Sequence, residues 1–132
     1  MAYAKKLFVT GGVFALLSVV LGALAAHALR DKLDPRSLEG FNTAVKFMFY
    51  HALALLVFGL MADKHQSKLF GWAGNLIIAG TVLFSGSIYL LSTTAVSGLN
   101  IPKGFGLVTP LGGVLLIAGW ALFILSILNN KK

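Results

Sequence analysis

The side chains with chemical potential sit where they are costly to place. Lys46, Tyr50 and His51 fall within an apolar stretch, residues 43–62, that continues as Ala52-Leu53-Ala54-Leu55-Leu56. At about 100° per residue, Thr43, Lys46, Phe47 and Tyr50 share one side of a helix, with His51 on its flank. An imidazole can take or give a proton, an ammonium can hold an anion, and a phenol can donate a hydrogen bond. Ionisable groups inside a membrane span turn toward the bundle interior, so this side is expected to face inward as a candidate polar site. Thr81, Ser85, Tyr89 and Ser92 form a second polar stripe at helical spacing. Its hydroxyls, Ser85 and Tyr89 above all, are the expected partners of His51, because hydrocarbon supplies none. Lys46 has two other outlets. Its stem can carry the ammonium to headgroups, or it can pair with Asp31, Asp34, Glu39 or a bound anion.

Other chemistry is poorly supported. His27 closes the first apolar block and reads as an interfacial or capping histidine before it reads as a functional one. The three histidines lie on separate segments with no carboxylate inside a span, which is not a metal-ligand spacing. There is no cysteine, so disulfides, thiolate metal sites and cysteine nucleophiles are excluded. No complete catalytic set appears, and neither a catalytic residue nor a cofactor is assigned.

The elements that position these residues follow from composition. Of 132 residues, 58% are hydrophobic and 11% charged, against roughly 25% charged in soluble domains. Such a chain needs the bilayer as solvent. The formal charge of +7 is spread between apolar blocks rather than gathered on one face with aromatics, which argues for lipid headgroups and against nucleic acid. The reading is an all-α integral membrane protein of one domain, residues 1–132, with spans near 7–28, 43–62, 69–93 and 108–128. The first block resembles a secretory signal but exceeds the usual apolar core of roughly 7–15 residues, so it is expected to remain as a span. Asp34-Pro35 is a helix start, so the second helix should begin near Pro35, outside the hydrocarbon, and run through the polar residues. The short turn 63–68 makes the second and third helices antiparallel neighbours, and Thr109-Pro110 opens the fourth after a glycine-rich loop, with the threonine as expected cap and the proline in the first turn. The whole is a four-transmembrane-helix antiparallel bundle.

Small residues recur at helical spacing, Gly11, Ala15, Ser18, Gly22 and Ala26 in the first span and Gly112, Gly113 and Gly119 in the fourth. These are expected helix-packing faces, since small side chains let helices approach closely in lipid. Four spans put both termini on one side. That side carries Lys5, Lys6, Lys64, Lys68, Lys131 and Lys132, against Arg30, Lys32, Arg36 and Lys103 on the other. The positive-inside rule then favours cytoplasmic termini.

Several blocks together carry a resemblance. Residues 22–29 (GALAAHAL), Thr43-Ala44-Val45 with 51–56 (HALALL), 84–89 (FSGSIY), and 109–113 (TPLGG) with Gly119-Trp120 resemble the YgdD/YwdK-like family, domain-of-unknown-function family 423. These are small bacterial inner-membrane proteins with a small eukaryotic relative. The resemblance implies four membrane helices and a bacterial plasma-membrane location, and it supplies no established activity. It adds interest to His27, His51, Ser85, Ser87, Tyr89 and Thr109, which match polar positions of the blocks. Met48 stands where the family pattern leads one to expect a glutamine.

Three functions are compatible with these residues. The foremost is a non-enzymatic accessory or structural membrane protein that binds lipids, copies of itself or other membrane proteins. The second is an oligomeric channel or transporter with a polar path by Lys46 and His51. The third is a membrane enzyme using His27 or His51 as base.

Overall fold

The computed structural model describes residues 2–130. Four long helices account for most of them: α1 (Ala2–Ala26), α2 (Pro35–Met61), α3 (Lys68–Ser92) and, after the short α4 (Thr94–Ser97) and a 3₁₀ turn (Lys103–Leu107), α5 (Val108–Leu128). The segments containing these four are long and apolar enough to cross a membrane. Among the described residues there is no strand.

Local chemistry explains the helix starts. The Asp34 carboxylate accepts from the Ser37 amide at 3.2 Å and Pro35 fills the first helical position, as the sequence predicts. The Ser37 hydroxyl and amide hold the Asp34 carboxyl below its ordinary value. Ser67 caps α3 in the same way, accepting from Phe70. Thr109 does not cap. Helix α5 begins at Val108 with no side-chain cap, and the Thr109 hydroxyl is used elsewhere. Helix α1 starts at Ala2, one turn ahead of the apolar span expected from residue 7; in that turn Lys5 and Lys6 are exposed while Ala4 is buried and Tyr3 half-buried.

The helices run antiparallel in chain order, α1 packing on α2, α2 on α3 and α3 on α5. Among the described residues, α2 and α5 do not approach backbone to backbone, and only their side chains meet. Leu7, Phe14, Met48, Leu55, Phe58, Phe70 and Ile77 form much of the core.

The predicted small-residue faces are largely the ones used. At Gly11 an added Cβ would stand 2.9 Å from the Ala52 carbonyl oxygen, so α1 and α2 cross there at backbone distance. Ser18 is buried, and Ala15 and Gly22 are half-buried along the same seam. Ala26 is not part of it. The helix phase at that end buries Ala25 and leaves Ala26 exposed. Gly22 is also less tight than its spacing suggests, since a Cβ there would lie 3.5 Å from a Val45 methyl, an ordinary contact. Gly11→Ala should therefore lower the thermal midpoint in detergent clearly more than Gly22→Ala. Equal effects would contradict the crossing at Gly11.

Candidate functional site

His51 is buried on the inner side of α2, and both ring nitrogens are engaged. Nδ1 lies 2.7 Å from the Phe47 carbonyl oxygen, and the Trp120 indole N–H donates to Nε2 at 3.0 Å. An indole can only donate, so Nε2 accepts and Nδ1–H is the donor to Phe47. The ring is therefore neutral, in one tautomer, with its lone pair occupied. Phe47 stacks on it at 6.3 Å between centroids, and Trp120 tilts against it at 5.9 Å.

The expected partners of His51 go elsewhere. Ser85 donates to the Ala44 carbonyl at 2.8 Å, which fixes the antiparallel register and puts Ser85 about two turns away from the His51 level. Tyr89 packs on Phe41, ring centroids 5.0 Å apart, and its hydroxyl reaches the Met48 sulfur at 3.7 Å. Ser87 meets the Thr109 hydroxyl and donates to the Phe84 carbonyl at 3.0 Å, joining α3 to α5. Ser92 turns back to Ile88 at 2.7 Å. Thr81 is buried, and its hydroxyl has no partner among the described residues.

The predicted inward side of α2 is rotated. Phe41, Ala44, Met48, His51, Ala52 and Leu55 face the neighbouring helices, whereas Lys46 and Tyr50 are exposed, Tyr50 to 58%. The physical reason is that α2 packs against both α1 and α3, which takes up its small and apolar residues. Its long polar-tipped side chains are left on the outside, where they can reach headgroups. Lys46 and His51 thus lie on different sides of one helix and do not line a common path. His27 is exposed in the turn after α1, its amide bonded to the Ala23 carbonyl at 3.1 Å, in keeping with an interfacial residue.

Sequence reasoning missed Trp120 as the partner of His51. The available signal was an indole N–H deep in an otherwise apolar span. Trp120 also belongs to an aromatic column, Phe58, Phe123, Phe70 and then His65, that fills the space between α2, α3 and α5. A second omission is Tyr3, whose hydroxyl donates to the Gly71 carbonyl at 2.6 Å and ties the start of α1 to α3.

Two depressions are relevant. One, of about 370 Å³, opens at the end of the bundle bearing the termini and is lined by Tyr3, Asp63, His65, Gln66 and Ser67 among others. The other, of about 280 Å³, is an open groove between α1 and α2 beside Lys46 and Tyr50. Among the described residues, no three histidine, aspartate or glutamate side chains come together as a metal-ligand set.

Comparison with known proteins adds a lineage. The family model described as "Protein of unknown function (DUF423)" matches residues 21–113, which include His51, Lys46, Ser85 and Thr109 but stop short of Trp120. The chain is 42% identical over 123 residues to "UPF0382 membrane protein YwdK" of Bacillus subtilis, covering 92% of this chain and 95% of that protein. It is 32% identical over 129 residues to "UPF0382 inner membrane protein YgdD" of Escherichia coli, covering 98% and 94%. It is 37% identical over 107 residues to "UPF0382 membrane protein C1782.12c" of Schizosaccharomyces pombe, covering 80% and 87%. No solved structure matches the chain.

Proposed function

The chain belongs to the DUF423 family, a family of unknown function whose relatives are membrane proteins, and from this we propose a non-catalytic accessory role in the membrane. It is a multi-pass membrane protein. The accessory role would act through contact with lipids or other membrane proteins, by way of the exposed apolar faces of α1 and α5.

One observation carries this reading: the polar side chains within the spans are largely spent on the bundle itself. His51 donates a hydrogen bond from Nδ1 to the Phe47 carbonyl and accepts one at Nε2 from Trp120, while Ser85, Ser87, Tyr89 and Thr109 link neighbouring helices. A general base needs its lone pair free toward substrate, and a conduction path needs polar groups aligned on one wall. The arrangement favours helix registration over either task.

Purified protein in sealed liposomes tests the reading. Proton and alkali-cation gradients should decay as slowly as in protein-free vesicles, and His51→Gln should leave that decay unchanged. Flux that depends on the protein and is lost with His51→Gln would overturn it.

A further inference from the structure

Where α1 and α3 begin, an open cleft of about 360 Å³ is lined by Tyr3, Lys68, Gly71, Trp72 and Asn75. On α3, Lys68, Gly71, Trp72 and Asn75 follow one another at steps of three, one and three, so they share one face over two turns. Gly71 leaves an open floor, since a Cβ there would meet nothing within 4 Å. From α1, Lys6 reaches across the cleft. Its ammonium donates to the Asn75 amide oxygen at 2.9 Å and lies 5.6 Å from the Tyr3 ring centre. An ammonium has three donors and no acceptor, so two donors remain for a ligand, and the Asn75 NH2 is a further one. The Tyr3 hydroxyl is spent on the Gly71 carbonyl at 2.6 Å, which fixes that wall. Trp72 is 59% exposed beside it. An indole and a phenol at the ends of two spans mark the level of the lipid headgroups.

We infer that this cleft binds the headgroup phosphate of one anionic phospholipid between Lys6 and Lys68, over Gly71, with the Asn75 amide as an added donor. Charge selects the occupant. Three of the four carboxylates of the chain, Asp31, Asp34 and Glu39, lie at the other end of the bundle, where they offset Arg30, Lys32 and Arg36. At this end Lys5, Lys6, Lys64 and Lys68 stand against one carboxylate, Asp63, which lines neighbouring hollows and not this cleft. Such an excess of lysine at the bilayer surface draws anionic lipid. A second copy in the same orientation would bring lysines to lysines. An inverted copy would bring the end whose charges largely cancel. A zwitterionic lipid carries its own cation next to its phosphate, so the two lysines gain less from it.

This inference rests on the accessory reading and names a ligand for it. The test is native mass spectrometry of the intact chain released from nanodiscs containing equal parts of phosphatidylglycerol and phosphatidylcholine. One phosphatidylglycerol should be retained in preference, and each of Lys6→Gln and Lys68→Gln should cut that preference about fivefold. The paired change Lys5→Gln with Lys64→Gln removes the same charge from the same end but outside the cleft, and should leave most of the preference in place. Gly71→Leu fills the floor, keeps both lysines and should lower retention. Equal retention of the two lipids by the parent would overturn the proposal. So would an equal loss in the two lysine sets, which would mean diffuse attraction without a site, or undiminished retention in Gly71→Leu. Displacement of the lipid by millimolar inorganic phosphate would assign the cleft to a soluble anion, and a dimer without bound lipid would assign it to a second copy; either result overturns the proposal. The accessory reading fails by protein-dependent flux in liposomes and this proposal by lipid selectivity, so the two failures are distinguishable.

Discussion

Gly112→Ala is expected to cause a large loss of stability. A Cβ at position 112 would overlap the Phe84 backbone nitrogen and stand 2.8 Å from the Phe84 Cα and 2.9 Å from the Leu83 carbonyl carbon. These are backbone atoms of α3, so relief requires moving one helix away from the other. The same seam is close at two other levels. Gly80 lies against Leu116 and the Gly112 carbonyl, and Gly119 lies against Ile77. Helix association in lipid depends on such packing because apolar side chains gain nothing from leaving water. Overpacking usually costs about 1–3 kcal/mol, and a backbone clash belongs at or above the upper end. Separation of α3 from α5 would also strain the Ser87–Thr109 and His51–Trp120 links. Gly113→Ala is the matched control: its Cβ would meet only the Phe84 ring, at 3.8 Å, and the change should stay within about 0.5 kcal/mol. Thermal unfolding in detergent distinguishes the two, and a Gly112→Ala protein as stable as the parent would refute the close α3–α5 crossing.

His51→Ala is expected to cost about 2 kcal/mol, because it leaves the Trp120 N–H in hydrocarbon without its acceptor. Trp120→Phe removes the donor while keeping an aromatic ring, and should cost less. The double variant should be more stable than the sum of the single losses allows. Hydrogen bonds between membrane helices average about 0.6 kcal/mol and reach about 1.7, and the coupling is expected between those two values. Since α2 and α5 meet only through side chains, this bond joins the Phe58 contacts with Trp120 and Phe123 as a tie between them, while α5 stays packed on α3. Strictly additive single effects would show that the indole and the imidazole do not interact.

How far the fold was legible depended on how local each signal is. Asp34-Pro35 set the start of α2 within the chain's own first turn, and length and hydropathy delimited four spans. The Gly11 and Gly112 contacts were readable as small residues at helical spacing, although Ala26, one position out of phase, was not separable from them. Thr109 followed capping chemistry on paper and was drawn away by Ser87, a residue on another helix.

The candidate site was only half legible, and the missing half was rotational. Periodicity groups Thr43, Lys46, Phe47 and Tyr50 on one side of α2, but it does not say which neighbour that side meets. His51 was identified as a buried, bonded histidine, yet its partner came from α5 rather than from the hydroxyl stripe of α3.

By itself, then, the sequence determined the solvent, the number of spans, the capped start of α2 and some of the small residues at which helices touch, Gly11, Gly112 and Gly119 among them. These follow from composition and from interactions within a few residues. The tertiary structure alone decided that Lys46 faces outward, that Ser85 registers on Ala44 and that His51 is held by Trp120. The rotation of α2 is a compromise among the surfaces of its neighbours, and a polar group in hydrocarbon bonds to whichever donor that rotation brings within reach.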